Sequence, residues 1–489
     1  MPRLVQLLVP CAFLCGCFGP GGGVEVPKDE IYFPTGLALD RDANYLYVVS
    51  SDFDLQYNGG AIQSYDLGRL EELLLDEDRA EPCGELGERA PADKLLYPGR
   101  CKPIPADAPG LQKDPVKNRV KIGAFATDAV MRPLAGSEYD RLFVPVRGDT
   151  TLHWLNVRDG EMECGQDGEG ACSERHRAGN DPSAENTRGL RLDAEPFGID
   201  ANAEGSTIVV TNQTTGTASL FVADPENADV APALRFALSS DRIPSRPIGI
   251  VSLPRTPKEI RDSESANDGA APDAFLMTFR NSAQVRLLRF ADDGASSPER
   301  EYLVDGGGVG IDANSVGTDS RGIAIDSSER EQAIERCGGD AACEDLAALT
   351  PIDVYVANRA PASLLIGRTR PPLEYPYFFQ SLPLTVGPSQ VVVGKVKAPS
   401  GQEETRVFVA CFDSRRVFVY DPQRERFEAE IQTGRGPHAM AVDTARSLLY
   451  VGHFTDSYVG IFSLDLSKPA TYGTILGTLG SPRPPRSSK

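Results

Sequence analysis

The sequence predicts an all-β protein, a seven-bladed β-propeller built from four-stranded antiparallel blades. The first observation behind this prediction is a pair of short aliphatic strands that occurs seven times. β-Branched and aromatic residues suit a pleated surface, and the short polar gaps suit tight turns, so each pair predicts a β-hairpin. The pairs begin with the strands at residues 46–50, 142–148, 207–213, 275–281, 354–360, 407–413 and 449–455. Because a lone hairpin cannot bury its face, seven similar ones predict stacking.

The second observation is a turn-then-strand motif that precedes the hairpins, usually with Gly two places after a Pro position. Its copies lie at residues 33–40, 195–201, 246–252, 320–326, 387–393 and 436–443, with a degenerate copy at 122–128. Proline fixes the turn and glycine lets neighbouring backbones approach, which suits a crowded innermost strand. An outer strand per repeat, such as residues 427–433, completes four strands. Seven such sheets form a propeller, which we expect to close as one continuous ring of sheet.

These motifs resemble a known group of proteins. The alternation of P-x-G-[IL]-[AV]-x-D with a strand of the YV-[ATV]-N type is seen best in VYVANRA (354–360) and IVVTNQT (208–214). It is similar to the YVTN-type β-propellers of bacterial surface and periplasmic proteins, and lactonase-like seven-bladed propellers share the layout. The resemblance covers residues 31–480, which we expect to form one domain. It implies a fold and no particular activity, since propellers host many functions.

The N-terminus has the pattern of an export signal. Arg3 is followed by an apolar stretch at residues 4–14, and Leu14-Cys15-Gly16-Cys17 resembles the lipobox of a bacterial lipoprotein. We therefore expect residues 1–16 to be a signal peptide, Cys17 to be lipidated and residues 17–30 to be a flexible Gly-rich spacer. The protein would be exported and lipid-anchored in the bacterial cell envelope, at the outer membrane, on its periplasmic or surface face. The alternative is plain secretion with cleavage near residue 17.

The repeats differ in length, so the longer ones must contain insertions. We place these polar insertions at residues 68–118, 158–192, 253–273 and 327–350, and we expect a small helical hairpin in the last of them. Residues 481–489 are expected to form a disordered tail.

Six cysteines fall two by two into three of the insertions. This arrangement is typical of local disulfides in loops that lack a core of their own. The predicted pairs are Cys83 with Cys101, Cys164 with Cys172, and Cys337 with Cys343, while Cys411 lies in a strand and is expected to be a buried free thiol. With only four histidines in the chain, we expect no metal site and no cofactor.

The chain is strongly acidic. It has 50 basic and 70 acidic residues, which gives a formal net charge of −20. Such a charge disfavours nucleic acid and anionic lipid as partners, and it keeps an exported protein soluble. We expect a monomer that contacts the membrane through its lipid anchor only.

In a four-stranded blade, the crossover between blades and the turn between the second and third strands lie at the same mouth of the channel. These positions contain several arginines, whose planar guanidinium groups suit carboxylates and phosphates. The predicted ligand-binding mouth comprises Arg147, Arg246, Arg280, Arg321, Arg359, Arg435, His438, His453, Asn212 and Asn358. The alternative is that each arginine pairs with an acidic neighbour and makes the loops rigid.

Catalytic signatures are weak. The sequence contains no G-x-S-x-G or H-E-x-x-H motif. His438 and His453 belong to one repeat and are expected to approach one another at the mouth, while a hydrolase would use His438, Glu195 and Arg321. We expect a non-catalytic binding or scaffold protein for a protein or envelope ligand, or for a small anion. The alternatives are a lactonase-like or other small-molecule hydrolase and a purely structural envelope component.

Overall fold

The computed structural model describes residues 24–27, 30–75, 104, 115–168, 170–179, 190–266, 273–293, 301–310 and 319–480. These residues form seven antiparallel sheets, each made of strands that follow one another in sequence. The first strands of neighbouring sheets contact each other, so the first strand of each sheet is the innermost. The predicted seven-bladed propeller is confirmed.

The strands are numbered in chain order, and each blade runs from its innermost strand outward. Blade 1 consists of β1 (Pro34–Leu39), β2 (Tyr45–Ser50), β3 (Gly60–Asp66) and β4 (Val116–Ile122). Blade 2 consists of β5 (Val130–Pro133), β6 (Asp140–Val146), β7 (Thr151–Arg158) and β8 (Glu161–Glu163), with β9 (Arg177–Ala178) also paired to β7. Blade 3 consists of β10 (Pro196–Ala201), β11 (Thr207–Asn212), β12 (Thr217–Val222) and β13 (Ala233–Leu238).

The remaining four blades have the same order. Blade 4 consists of β14 (Pro247–Leu253), β15 (Ala274–Phe279), β16 (Gln284–Asp292) and β17 (Glu301–Gly310). Blade 5 consists of β18 (Ser320–Asp326), β19 (Asp353–Arg359), β20 (Ala362–Arg370) and β21 (Tyr375–Pro383). Blade 6 consists of β22 (Pro388–Lys397), β23 (Glu403–Cys411), β24 (Arg416–Asp421) and β25 (Arg426–Gln432). Blade 7 consists of β26 (Pro437–Asp443), β27 (Leu448–His453), β28 (Tyr458–Ser463) and β29 (Ile475–Leu479).

Blade 2 departs from the pattern at its innermost strand. The degenerate motif at residues 122–128 was expected to supply that strand, but Ile122 ends β4 and β5 begins only at Val130. Between them, Ala126 makes an isolated bridge with Val146. This segment has Ala where most blades have Pro and Asp128 where they have Gly, so it lacks the residues that favour the regular turn and strand.

The core is divided among the interfaces between blades. Within the described residues, one cluster of buried apolar side chains lies between each pair of neighbouring blades, including blades 7 and 1. At that last interface, Leu46 and Val48 pack in one cluster with Tyr450 and Ile461. Full burial of such a side chain contributes about 1.5–3 kcal/mol. The sheets are separate, so the expected continuous ring of sheet is wrong. Side-chain packing closes the ring, together with a backbone bridge between Ile104 of the blade 1 insertion and Leu479 of β29.

The glycines of the inner strands sit where neighbouring backbones are closest. A Cβ atom on Gly198 would lie 2.0 Å from the carbonyl oxygen of Ile248, and one on Gly249 would lie 2.2 Å from that of Arg321. No side chain can be accommodated at such distances. The crowding inferred from the glycine pattern is therefore present.

The insertions carry the helices. These are α1 (Leu67–Leu75), α2 (Pro257–Ala266), α3 (Ser328–Glu335) and α4 (Ala341–Ala347). The last two contact each other and form the predicted helical hairpin. In the described part of the chain, no helix has the length and apolar character that a membrane crossing requires.

Two of the predicted disulfides are present. Cys164 bonds to Cys172 and Cys337 bonds to Cys343. Cys411 is a buried free cysteine, and burial raises the pKa of its thiol to about 11. Cys83 and Cys101 lie outside the described residues, as do the expected signal peptide, Cys17 and the tail at 481–489.

Candidate functional site at the channel mouth

Seven equivalent backbone hydrogen bonds define one end of the channel. In each blade, a residue at the end of the second strand donates its N–H to a carbonyl oxygen at the start of the innermost segment. The acceptor residue directly precedes that segment, and the N–O distances are 2.7–3.2 Å. From blade 1 to blade 7, the donor and acceptor residues are Ser51 and Phe33, Arg147 and Phe125, Gln213 and Glu195, Arg280 and Arg246, Arg359 and Asp319, Phe412 and Gly387, and Phe454 and Gly436. These residues therefore surround a common opening, which we call the mouth.

A second ring of side chains lies just inside the mouth. In six blades the pairing register shifts directly after the first residue of the inner strand, and such a bulge redirects a side chain. The residues at this position are Thr35, Phe197, Ile248, Arg321, Ser389 and His438. All six line cavities of the channel. The bulges thus point one side chain from each of these blades into the channel.

The cavity at the mouth has a volume of about 340 Å³. Its aromatic lining consists of Phe53, Phe125, Phe197, Phe412 and Phe454. Its basic lining consists of Arg147, Arg321, Arg359 and His438. Phenylalanines predominate on blades 6, 7 and 1, and the arginines lie on the flanking blades 2 and 5, so the cavity combines an apolar surface with cationic groups. The Asp413 carboxylate lines the same cavity.

The phenylalanines form one connected cluster. Phe53 lies with its ring centroid 5.8 Å from that of Phe125 and 5.1 Å from that of Phe454. Phe412 continues the cluster at 6.1 Å from Phe454. Aromatic contacts of this kind are worth about 0.5–1.5 kcal/mol beyond the area that they bury. Because Phe53 is 49% exposed, this apolar surface is open to a ligand.

The six predicted arginines lie at the mouth end, but most already have acidic partners. Arg147 binds Glu195 and Arg359 binds Asp413, each over 2.5 Å. Asp319 lies 2.6 Å from Arg321 and 3.7 Å from Arg280.

The other two arginines differ from these. Arg435 binds the buried Asp456 over 2.7 Å and does not line the mouth cavity. Arg246 is exposed and makes no ion pair with the residues that the structure describes.

The arginines of blades 4 and 5 influence one another. Burial and the neighbouring charges of Arg321, Arg246 and Arg359 lower the pKa of Arg280, against the opposing effect of Asp319. In the described part of the mouth, three of these four guanidinium groups pair with two carboxylates, those of Asp319 and Asp413, and Arg246 pairs with neither. This side of the mouth keeps an excess of positive charge in a protein that is acidic overall.

Below the mouth the channel narrows to a cavity of about 70 Å³, which we call the throat. At the inner-strand position that faces it, four blades have Gly and blade 7 has Ala439, but blade 2 has Asp128 and blade 6 has Gln390. Asp128 and Gln390 line the throat together with Arg321 and His438. The throat therefore brings a carboxyl group, an amide, a guanidinium group and an imidazole together.

Burial controls the protonation of two throat residues. It raises the pKa of Asp128 to about 7, with a smaller contribution from the nearby Asp200 carboxylate. Burial, with help from the Arg321 charge, lowers the pKa of His438 to about 4. Near neutral pH the imidazole is therefore neutral, and the Asp128 carboxyl is close to half ionised.

Several predicted residues do not line the mouth cavity. His453 is fully buried in blade 7, stacked on Tyr458 with ring centroids 4.0 Å apart, and burial lowers its pKa to about 3. His453 therefore does not line the mouth cavity, where it was expected to approach His438. Asn212 and Asn358 are also buried, and they bind Ser219 and the Pro361 carbonyl oxygen within their own hairpins.

The predicted catalytic set is brought together only in part. His438 and Arg321 line the same cavities, but Glu195 does not. Hydrogen bonds from Thr214 and Arg147 hold Glu195 and lower its pKa.

Sequence reasoning missed the phenylalanines and Asp128. Their signal was present in the repeats, because Phe412 and Phe454 occupy the same position as Arg147 and Arg359, and Asp128 replaces a recurrent Gly.

No family model and no curated protein matches this chain. Solved structures of similar fold include a putative 6-phosphogluconolactonase from Bacteroides uniformis (14% identity, 82% of this chain and 86% of the other, TM-score 0.46). They also include the periplasmic gluconolactonase PpgL of Pseudomonas aeruginosa (13%, 82% and 86%, 0.43) and virginiamycin B lyase from Staphylococcus aureus (9%, 87% and 94%, 0.43).

Proposed function

We propose that this chain is a non-catalytic, lipid-anchored protein of the bacterial envelope whose channel mouth binds a small anion with an apolar, preferably aromatic, body. The observation that carries the proposal is the lining of the mouth cavity, which combines aromatic rings with guanidinium groups. Phe53, Phe412 and Phe454 offer an open aromatic surface, and Arg321 and Arg359 lie in the same cavity. Its volume of about 340 Å³ falls within the range of small-molecule sites, about 300–1,000 Å³.

The charges of the mouth favour an anion for a physical reason. Guanidinium groups close to one another repel, and the described carboxylates offset only part of that repulsion. A ligand carboxylate or phosphate supplies the missing negative charge and accepts hydrogen bonds from the planar groups. The phenylalanines then select ligands with an apolar body.

Calorimetry with three probes tests this specificity. Phenylacetate carries both features, acetate lacks the ring, and benzyl alcohol lacks the charge. We expect phenylacetate to bind more tightly than the other two, and its affinity to fall as salt is added. Arg321→Ala should weaken binding, whereas Arg368→Ala, which removes an ion-paired arginine bound to Asp353, should not. Equal affinity for phenylacetate and benzyl alcohol would exclude an anion site.

The anchor is the second part of the proposal. It rests on the lipobox-like sequence that ends at Cys17. Labelled palmitate should mark the wild-type protein, and Cys17→Ser should lose both the label and membrane retention. A labelled Cys17→Ser protein would reject lipidation at this residue.

A hydrolase that acts in the throat is a second candidate, and the placement of Asp128 favours it. Arg321 would stabilise the negative charge on a lactone or ester carbonyl oxygen, and ionised Asp128 would take a proton from the attacking water. A pKa of about 7 suits a general base near neutral pH, whereas His438 is a much weaker base.

A panel of sugar and aryl lactones tests hydrolysis. We expect the rate to rise with pH through about 7 and to be lost in Asp128→Asn. An Asp128→Asn protein with the full rate would remove this candidate, as would the absence of hydrolysis by the wild-type protein.

A further inference from the structure

The first described residues of the chain lie at the mouth end of blade 1. Val24 makes a parallel bridge with Tyr57, and its carbonyl oxygen accepts a hydrogen bond from Asn58 N–H over 3.0 Å. Val26 is buried in a small cluster with Tyr32 and Ala61. Residues 51–59 connect the second and third strands of blade 1, and this connection lies at the mouth. The N-terminal segment is therefore fixed to the same end of the propeller as the candidate site.

The distance from this point to Cys17 is short. Six residues separate Cys17 from Val24 in the sequence. Seven steps of fully extended chain span at most about 25 Å, and a Gly-rich chain of that length spans about 15 Å on average. The strands of blade 1 have six or seven residues and are thus about 20 Å long. A lipid on Cys17 would therefore hold the mouth end, rather than the opposite end, close to the membrane.

The mouth end also presents exposed apolar side chains. Val24 is 66% exposed, Leu55 is 50% exposed and Val386 is 67% exposed. Leu55 follows Phe53 in the blade 1 turn, and the Val386 carbonyl oxygen accepts a hydrogen bond from Ser414 in the corresponding turn of blade 6. We call Val24, Phe53, Leu55 and Val386 the apolar rim. It lies on the same side of the opening as the phenylalanine cluster.

The charges near the apolar rim determine the kind of lipid surface that it fits. Glu25 and Asp54 are direct neighbours of rim residues, and the whole chain has a net charge of −20. Next to the rim, these two carboxylates would repel anionic headgroups but not zwitterionic ones.

We propose that the apolar rim contacts the lipid surface to which the chain is anchored, so that the channel mouth opens towards a membrane of zwitterionic lipid. This orientation rests on the attachment at Cys17 that is part of the proposed function. Burial of partly exposed apolar side chains in the headgroup region is favourable in proportion to the apolar area removed from water. The short tether keeps the rim near the surface, so even a weak contact would be maintained.

Fluorescence quenching by lipid tests the orientation. The mature chain, starting at Cys17, is coupled through that thiol to a maleimide lipid in phosphatidylcholine vesicles whose acyl chains carry bromine. Reporters are placed on the rim as Leu55→Trp or Val386→Trp. The matched control is Leu373→Trp, because Leu373 is 60% exposed in the turn after β20, at the opposite end of the propeller. The native Trp154 is 1% exposed and supplies a constant signal that reports folding.

We expect bromine to quench the rim reporters and to leave the Leu373→Trp reporter at its intensity in vesicles without bromine. Equal quenching of all three reporters, or quenching of the control alone, would overturn the orientation. Absence of quenching at both rim positions would overturn the contact. Because the coupling is chemical, the result does not depend on lipidation in the cell. Calorimetry on the same mature chain reports separately whether the mouth binds an anion.

Discussion

Phe53 of blade 1 meets the edge of Phe454 of blade 7, with ring centroids 5.1 Å apart and ring planes at 72°. The two residues come from opposite ends of the folded chain. The aromatic side of the mouth therefore spans the interface at which the propeller closes. A ligand that covers both rings would contact the first and the last blade at once and would stabilise the closed ring by mass action.

The first prediction concerns this aromatic contact. Phe454→Ala should weaken phenylacetate binding about tenfold, because it removes ring contacts worth about 1.4 kcal/mol. The affinity for acetate should change little. Phe236→Ala is the control, because Phe236 is also half-buried but contacts Tyr302 away from the mouth. A similar loss of affinity in both variants would mean that the ligand does not touch Phe454.

The second prediction is a gain of affinity. Asp413 binds Arg359 at the mouth, so Asp413→Asn should free the guanidinium group and remove a negative charge. Both changes favour an anion, and at this partly exposed position we expect about threefold tighter binding. The gain should disappear at high salt. Calorimetry at two salt concentrations provides the measurement, and weaker binding at low salt would contradict the anion site.

The third prediction concerns pH. Because the folded pKa of Asp128 is about 7, above its ordinary value of 3.8, the folded state binds more protons than the unfolded state between about pH 4 and 7. Ionisation of Asp128 therefore lowers the stability of the wild-type protein as the pH rises through this window. Asp128→Asn should remove that loss. At pH 8 its free energy of unfolding should exceed that of the wild type by about 2 kcal/mol, and at pH 5 the difference should be smaller.

Urea unfolding at the two pH values checks the prediction. Asp42→Asn, which alters an exposed carboxyl group, serves as the control and should follow the wild type. If the difference between Asp128→Asn and wild type were the same at pH 5 and pH 8, the carboxyl group would not titrate in this window.

The fourth prediction compares the two observed disulfides. Cys164 and Cys172 are buried in the cluster between blades 1 and 2, whereas Cys337 and Cys343 lie in the helical hairpin, outside the seven clusters. Replacing Cys164 and Cys172 with serines should lower the free energy of unfolding by about 2–3 kcal/mol through loss of the cross-link, the value expected for such a short loop. Burial of the two serine hydroxyls in the core should lower it further. Replacing Cys337 and Cys343 should lower the free energy of unfolding by a smaller amount. Thermal unfolding of the two double variants would reveal the order, and a larger loss at 337 and 343 would contradict it.

The fold could be predicted because its signals are local and repeated. Each hairpin and each Pro and Gly of an inner strand is visible within a few residues of sequence, and seven copies reinforce one another. The innermost strand of blade 2 was predicted at the wrong residues, since the segment before it has neither the Pro nor the Gly of the motif. The closing interface was missed because the sequence does not show that neighbouring blades meet mainly through side chains rather than through shared strands.

The site was harder to predict, for two physical reasons. A phenylalanine such as Phe412 at a strand end is indistinguishable in sequence from a core residue, and only the ring of blades places it beside Phe454. Three of the six predicted arginines line the mouth cavity, and their acidic partners come from other blades or from the crossover, as Asp413 does for Arg359. Such pairs are set by the geometry of the ring rather than by sequence spacing.

Every sheet consists only of consecutive strands, so neither end of the chain contributes a strand to the blade at the other end. The ring of blades therefore closes at the interface between blades 7 and 1. This interface is stabilised by the buried cluster around Leu46 and Tyr450 and, at the mouth, by contacts among Phe33, Phe53 and Phe454. Among the described residues, the backbone pairing between these two blades is a single bridge, between Ile104 of the blade 1 insertion and Leu479. A force that pulls the two ends of the chain apart would therefore meet little shared sheet at this interface, and the ring would open there with each blade still intact.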